Sequence, residues 1–135
     1  MVWIPNRIVA LILGIIFVVI GIIGFFVSST MMPGSLMGMD VDIVHNLVHL
    51  VTGIVALLAV YMGWSRVFNR VFGIIYLVIG LAGLIPALYF DGRLLGLMHI
   101  NAGDNVFHLI IGIIAIAVGF FVHEDVVATN RTTAV

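Results

Sequence analysis

Asn46-Leu47-Val48-His49-Leu50-Val51-Thr52-Gly53-Ile54-Val55-Ala56 returns 59 residues later as Asn105-Val106-Phe107-His108-Leu109-Ile110-Ile111-Gly112-Ile113-Ile114-Ala115, with Asn, His, Leu, Gly, Ile and Ala in register. Extended outward, the match runs without a gap from residues 7–62 onto 66–121. Gly14-Ile15-Ile16 falls on Gly73-Ile74-Ile75, Val19-Ile20-Gly21-x-x-Gly24 on Val78-Ile79-Gly80-x-x-Gly83, and Leu36 and Met39 on Leu95 and Met98. Apolar runs match by chance, but polar residues and glycines in register do not. The chain therefore reads as one domain, 1–135, made of two tandem copies (about 7–62 and 66–121) followed by a polar tail, 124–135, expected to be disordered.

The solvent of this domain follows from composition. Of 135 residues, 64% are hydrophobic and 8% charged, more apolar surface than a small soluble core can hide. A bilayer core about 30 Å thick needs roughly 20 apolar residues per helix. Four stretches meet this, about 7–27, 41–62, 67–90 and 103–122. Hydrocarbon offers backbone groups no partners, so such runs read as helices although they are rich in Ile and Val. The first could be a cleaved signal peptide ending at Val27-Ser28-Ser29, but it is longer than an ordinary signal core and has a matching partner inside the chain. The expected fold class is an all-α, integral membrane four-helix bundle of two helical hairpins. Each copy holds an even number of helices, so a pseudo-twofold axis along the membrane normal relates them.

Arg7, Arg66, Arg70 and Arg131 fall at the end of the termini and middle loop, while Arg93 falls at the other end, beside Asp40, Asp42, Asp91 and Asp104. That places both termini in the cytoplasm and the protein in the cell inner (plasma) membrane, with Trp3 and Trp64 as interfacial anchors. In the middle connection Gly63 suits a helix C-cap and Ser65 an N-cap. The outer loops, 29–40 and 91–102, keep apolar pairs at helical spacing and read as short segments lying over the outer end of the bundle. Pro86 is expected to bend the third helix.

Lipid is as apolar as leucine, so the helices must associate through small residues and polar contacts. Gly14, Phe17, Gly21 and Gly24 share one stripe, as do Gly73, Tyr76, Gly80 and Gly83; Gly53 and Gly112 continue the stripes of the second and fourth helices. Asp42 and Asn101 sit where N-caps belong, with His45 and Asp104 three residues later. Two turns deeper, about 10 Å at 1.5 Å per residue, come His49 and His108, each with Asn46 or Asn105 one turn above. Imidazoles at that depth are costly and face the bundle interior.

Several readings of this layer stand open. One is an interhelical hydrogen-bond network in which each His and Asn finds a partner. A second is a haem b, or another pigment, with His49 and His108 as ligands beside Asn46 and Asn105. A third is a metal ion held by His49 or His108 with His45 or Asp104. Zero cysteines and a formal net charge of -1 exclude a disulfide scaffold, a thiolate site and a nucleic-acid binder. No nucleophile–histidine pair, phosphate loop or H-E-x-x-H occurs, so no enzymatic activity is expected.

The segments His45-Asn46-Leu47-Val48-His49-Leu50-Val51-Thr52-Gly53 and Asn101-Ala102-Gly103-Asp104-Asn105-Val106-Phe107-His108-Leu109-Ile110-Ile111-Gly112 resemble the two signature segments of a bacterial membrane family catalogued as domain of unknown function 4383. The resemblance covers nearly the whole chain and implies a small four-helix membrane protein, without supplying an activity. The methionine-rich loop from Met31 to Asp40 departs from the pattern. The expected function is that of a structural or accessory subunit of a membrane assembly, embedded in lipid as a homo-oligomer or part of a larger complex. Cofactor holding through His49 and His108, for electron transfer or light harvesting, is the second reading.

Overall fold

The structure, a computed structural model, describes residues 4–123. It is all-helical in its membrane portion: α1 (Pro5–Val27), α2 (Ile43–Met62), α3 (Ser65–Ala82) and α4 (Ala102–Ile116), the last extended by a π-helical turn, Ala117–Phe121. All four helices, α4 with its π turn, are long and apolar enough to cross a membrane. Trp3, Arg131 and the tail 124–135 lie outside the described residues.

The surface is apolar, and buried polar side chains lie inside among apolar ones, the arrangement a lipid solvent selects. Ile12, Leu47, Val51, Val78, Val106 and Ile110 are among many large aliphatic side chains turned outward, whereas Asn6, Asn46, His49, Asn69, Asn105 and His108 are buried. α1 packs along α2 and α3 along α4; between these pairs α1 approaches α3 most closely, while α2 and α4 stand further apart.

The glycine stripes set these distances. A Cβ on Gly53 would lie 2.6 Å from Val18 N, and one on Gly112 2.7 Å from Leu77 N. Gly14 faces Leu57 and Ala56, Gly73 faces Ile116, Gly21 faces the Leu50 backbone, and Gly80 faces Leu109. Gly24 and Gly83 make room for a side chain instead: a Cβ there would fall on Oδ1 of Asn46 and of Asn105.

Three expectations are corrected. The outer loops form two-stranded antiparallel β-hairpins, β1 (Gly34–Leu36) with β2 (Met39–Val41) and β3 (Tyr89–Phe90) with β4 (Arg93–Leu94). Each turns on two residues of positive φ, Met37 (53°) and Gly38 (84°) in one, Asp91 (50°) and Gly92 (73°) in the other, the geometry that matches strand twist. α3 ends at Ala82 rather than continuing past Pro86, which instead opens a 3₁₀ turn, Pro86–Leu88. Proline lacks the N–H a continuing helix needs, so the chain stops upstream of it. Ser65 is the first residue of α3 and Trp64 its N-cap, without a side-chain bond. Gly63 takes the left-handed cap at the end of α2, with φ 80°.

Every helix C-terminus receives a polar side chain from a neighbouring helix. Asn46 Nδ2 donates to Ser28 O just past α1 (2.8 Å), Arg7 Nη2 to Val60 O in α2 (2.8 Å) and Asn105 Nδ2 to Gly83 O after α3 (2.9 Å). Gly119 O in the π turn accepts from both Arg66 Nε and Arg70 Nε. These bonds satisfy carbonyls that a helix end leaves without an intrahelical partner.

Replacing Gly21 or Gly80 with Leu is expected to lower stability by a few kcal/mol, the range for inserting bulk where no space exists. Gly63→Ala, which meets only open space, should cost about 1 kcal/mol through its backbone conformation alone. Thermal unfolding in detergent measures the difference.

Candidate metal centre

Asp42 and Asn101 close the first turns of α2 and α4. Asp42 Oδ1 accepts from His45 N (2.9 Å), and Asn101 Oδ1 accepts from Gly103 N and Asp104 N (2.8 and 3.1 Å). Asp104 answers by accepting from Asn101 N (2.9 Å), completing a capping box. The His45 ring does not reciprocate in this way: its Nδ1 faces Asp40 O at 2.8 Å. A carbonyl only accepts, so Nδ1 carries the proton, and in the neutral ring the Nε2 lone pair points elsewhere.

It points into the bundle. His45, four residues before His49, lies on the same face of α2, and the two ring centroids are 4.3 Å apart. His108 enters from α4, its centroid 5.8 Å from His45 and 6.1 Å from His49. One nitrogen of each ring lies within 4.8 Å of the others. All three side chains are buried. His45 Nε2 and both nitrogens of His49 and His108 find no hydrogen-bond partner among the described residues. Asp104, also buried, places Oδ1 4.0 Å from His45 Nε2 at the outer edge of the cluster, and that oxygen likewise has no partner among them.

The hydrogen-bond network therefore holds for the asparagine amides, which spend Nδ2 on Ser28 O and Gly83 O, and does not extend to His49 and His108. Below the imidazoles the interior turns aromatic. Phe17 meets His49 edge-on (5.0 Å) and Tyr76 meets His108 (5.2 Å). Phe17 and Tyr76 lie 5.1 Å apart, with Phe72 stacked on Tyr76 at 4.2 Å and Phe68 beyond. Further down, Asn69 Nδ2 donates to Asn6 O and Oδ1 (2.9 and 3.0 Å). A groove of about 380 Å³ between α2 and α3, lined by Val51, Val55, Val71 and Ile75, faces lipid rather than the histidines; Tyr76 OH donates to Thr52 Oγ1 at its wall (3.2 Å).

Two residues of this layer escaped the sequence reading. Asp40 joins its carbonyl to His45, its N–H to Asp104 Oδ2 (3.0 Å) and its Oδ1 to Asn101 Nδ2 (3.0 Å). His99 donates its backbone N–H to Asp42 Oδ2 and sets ring Nδ1 against the same oxygen, both at 2.8 Å.

Burial alone would raise the Asp42 carboxyl, but the backbone N–H groups of His45 and His99, and the His99 ring, outweigh it and hold the group below its ordinary 3.8. A depressed carboxyl contributes stability above its unfolded value and loses it as pH falls through its folded one. The stability lead of the wild type over Asp42→Asn, which keeps a capping oxygen, is therefore expected to shrink as pH drops below 3.8, read as thermal unfolding at stepped pH.

No curated protein and no solved structure matches the chain. One family model does, over residues 7–121, a stretch that carries α1 from its third residue, the other three helices, both β-hairpins and the three clustered histidines. The chain belongs to the family described as Domain of unknown function (DUF4383).

Proposed function

We propose that this small multi-pass membrane protein holds one divalent transition-metal ion, of zinc-like preference, between His45, His49 and His108. The carrying observation is that three buried imidazoles converge within 4.8 Å with five nitrogens lacking hydrogen-bond partners among the described residues. Leaving so many polar atoms unmade in hydrocarbon is costly, and a cation removes that cost. Imidazole nitrogens suit Zn, Cu, Ni and Fe. A tetrahedral site with bonds of 2.0–2.1 Å needs donors about 3.3 Å apart, so the ligand nitrogens close by up to about 1.5 Å on loading. The Asp40 carbonyl on His45 Nδ1 is the outer-shell partner that fixes a ligating tautomer. Asp104 supplies a negative charge beside the ion, which three neutral rings cannot.

A porphyrin suits the geometry less well. The space at Gly53, Gly112, Gly21 and Gly80, which a macrocycle would need between the helices, is already taken by the neighbouring helix. We read the protein as a non-enzymatic holder of its ion, an accessory component that acts alone, as a homo-oligomer or within a larger membrane complex. The two-copy reading of the chain is supported by the Asn46 amide seated against Gly24 as the Asn105 amide is against Gly83, and by Arg7 on Val60 O matched with Arg66 on Gly119 O. Placement in the inner membrane with both termini cytoplasmic rests on the arginine distribution.

Equilibrium titration of detergent-purified protein with Zn²⁺, and with Co²⁺ as a coloured probe, tests the reading. One ion per chain is expected, with a d–d absorption for Co²⁺. His49→Ala and His108→Ala should each lose about 100-fold or more in affinity. Saturation at 100 times Kd should stabilise the wild type by about 2.7 kcal/mol. A chain that takes up neither ion, its histidine variants merely less stable, would sink the proposal; a Soret band abolished by His49→Ala would replace it with haem.

A further inference from the structure

Resting on the metal reading, the geometry points to one-sided exchange: we infer that the ion enters and leaves only from the β-hairpin side, passed between solvent and His45 by the carboxylates of Asp40 and Asp104. The two ends of the bundle interior differ in kind. Toward the termini, the cluster is closed by Phe17 against His49 and Tyr76 against His108, backed by Phe72 and Phe68. Apart from the Tyr76 hydroxyl, which is turned to Thr52 at the wall, these rings offer a hydrated divalent cation no oxygen to replace its water, and hydrocarbon-like surroundings make its dehydration prohibitive.

Toward the hairpins the donors form a ladder. Asp40 is half-buried in the middle of β2, its Oδ1 held by Asn101 Nδ2. Its backbone N–H is hydrogen-bonded to Asp104 Oδ2, which keeps Oδ1 of the same carboxylate free of protein partners among the described residues and 4.0 Å from His45 Nε2. Solvent-side carboxylate, buried carboxylate and buried imidazole thus follow one another, each tied to the next through Asp40. Asp42, whose Oδ2 is occupied by His99, adds negative charge to the same end. Carboxylates at a narrow mouth raise local cation concentration and association rate.

Asp40 does not belong to the group of mutually close donors; it contacts the ion in transit. A group of that kind lowers the barrier equally in both directions, so its removal slows loading and release together and leaves the equilibrium unchanged. A ligand of the resting site would behave differently, speeding release when removed.

Stopped-flow absorbance with Co²⁺, followed by chelator chase, compares wild type with Asp40→Asn, which preserves the acceptor for Asn101 and the backbone contacts. Loading and release are both expected to slow by about tenfold, with Kd little changed. Faster release with weakened Kd, or unchanged rates, would overturn the inference while leaving the metal site in place; a wild type that binds no ion removes both. Sidedness is read independently in phosphatidylcholine vesicles. The chain has no cysteine, so Met37→Cys, at the 89% exposed tip of the first hairpin, reports through an impermeant maleimide which molecules face hairpin-out. External Co²⁺ should fill that fraction alone. Filling of both orientations, or of the unlabelled one, would overturn one-sided exchange.

Discussion

Hydrocarbon supplies neither hydrogen-bond donors nor acceptors, and the rest of this structure follows from how the chain answers that lack. Each helix C-terminus hands its free carbonyl to an Asn or Arg from a neighbouring helix: Asn46 and Asn105 on the hairpin side, Arg7, Arg66 and Arg70 on the other. The arginines also place positive charge where helix dipoles are negative. For these side chains to reach, the backbones must nearly touch, and the glycine stripes permit it. Polar pairing and close packing are therefore one device. Losing Gly24 would displace the Asn46 amide, and losing the amide would strand the carbonyl of Ser28.

The histidine layer stands out because it departs from that economy. Ten polar side chains are buried among the described residues, and most make at least one protein hydrogen bond in the cap boxes, the amide bonds or the Asn6–Asn69 pair, though Oδ1 of Asn46, Asn69 and Asn105 takes none. Among the same residues Ser65 Oγ and all four ring nitrogens of His49 and His108 have no partner. A chain that satisfies helix ends so thoroughly has the means to satisfy two imidazoles as well, and instead surrounds them with aromatic edges and a third ring. That contrast favours a guest cation over a purely structural role.

Spans, glycine contacts and the inward placement of His49 and His108 were legible because each is a matter of periodicity along a helix, which residue spacing encodes directly. The outer loops were not, since Leu36, Met39, Leu95 and Met98 mimic helical spacing; Asp91-Gly92, a strong two-residue hairpin signal, was the clue that outweighed it. The end of α3 was misplaced because hydropathy continues to Phe90 while the backbone, lacking an N–H at Pro86, does not. His45 was read both as part of the helix start, by its distance from Asp42, and as a metal ligand beside His49 or His108; its four-residue spacing from His49 puts both rings on one face. Asp40, His99 and the Asn6–Asn69 pair act across separations of 57 to 64 residues, where no local pattern reaches.

The aromatic layer under the histidines has an electrical consequence. Where a bundle interior is wet on one side and closed on the other, the membrane potential falls mainly across the closed portion. A divalent ion resting above Phe17 and Tyr76 would cross only the small remaining share of a drop that, taken whole, amounts to about 4.6 kcal/mol per 100 mV. Its occupancy would follow the chemistry of the compartment on the β-hairpin side and remain nearly indifferent to whether the cell is energised.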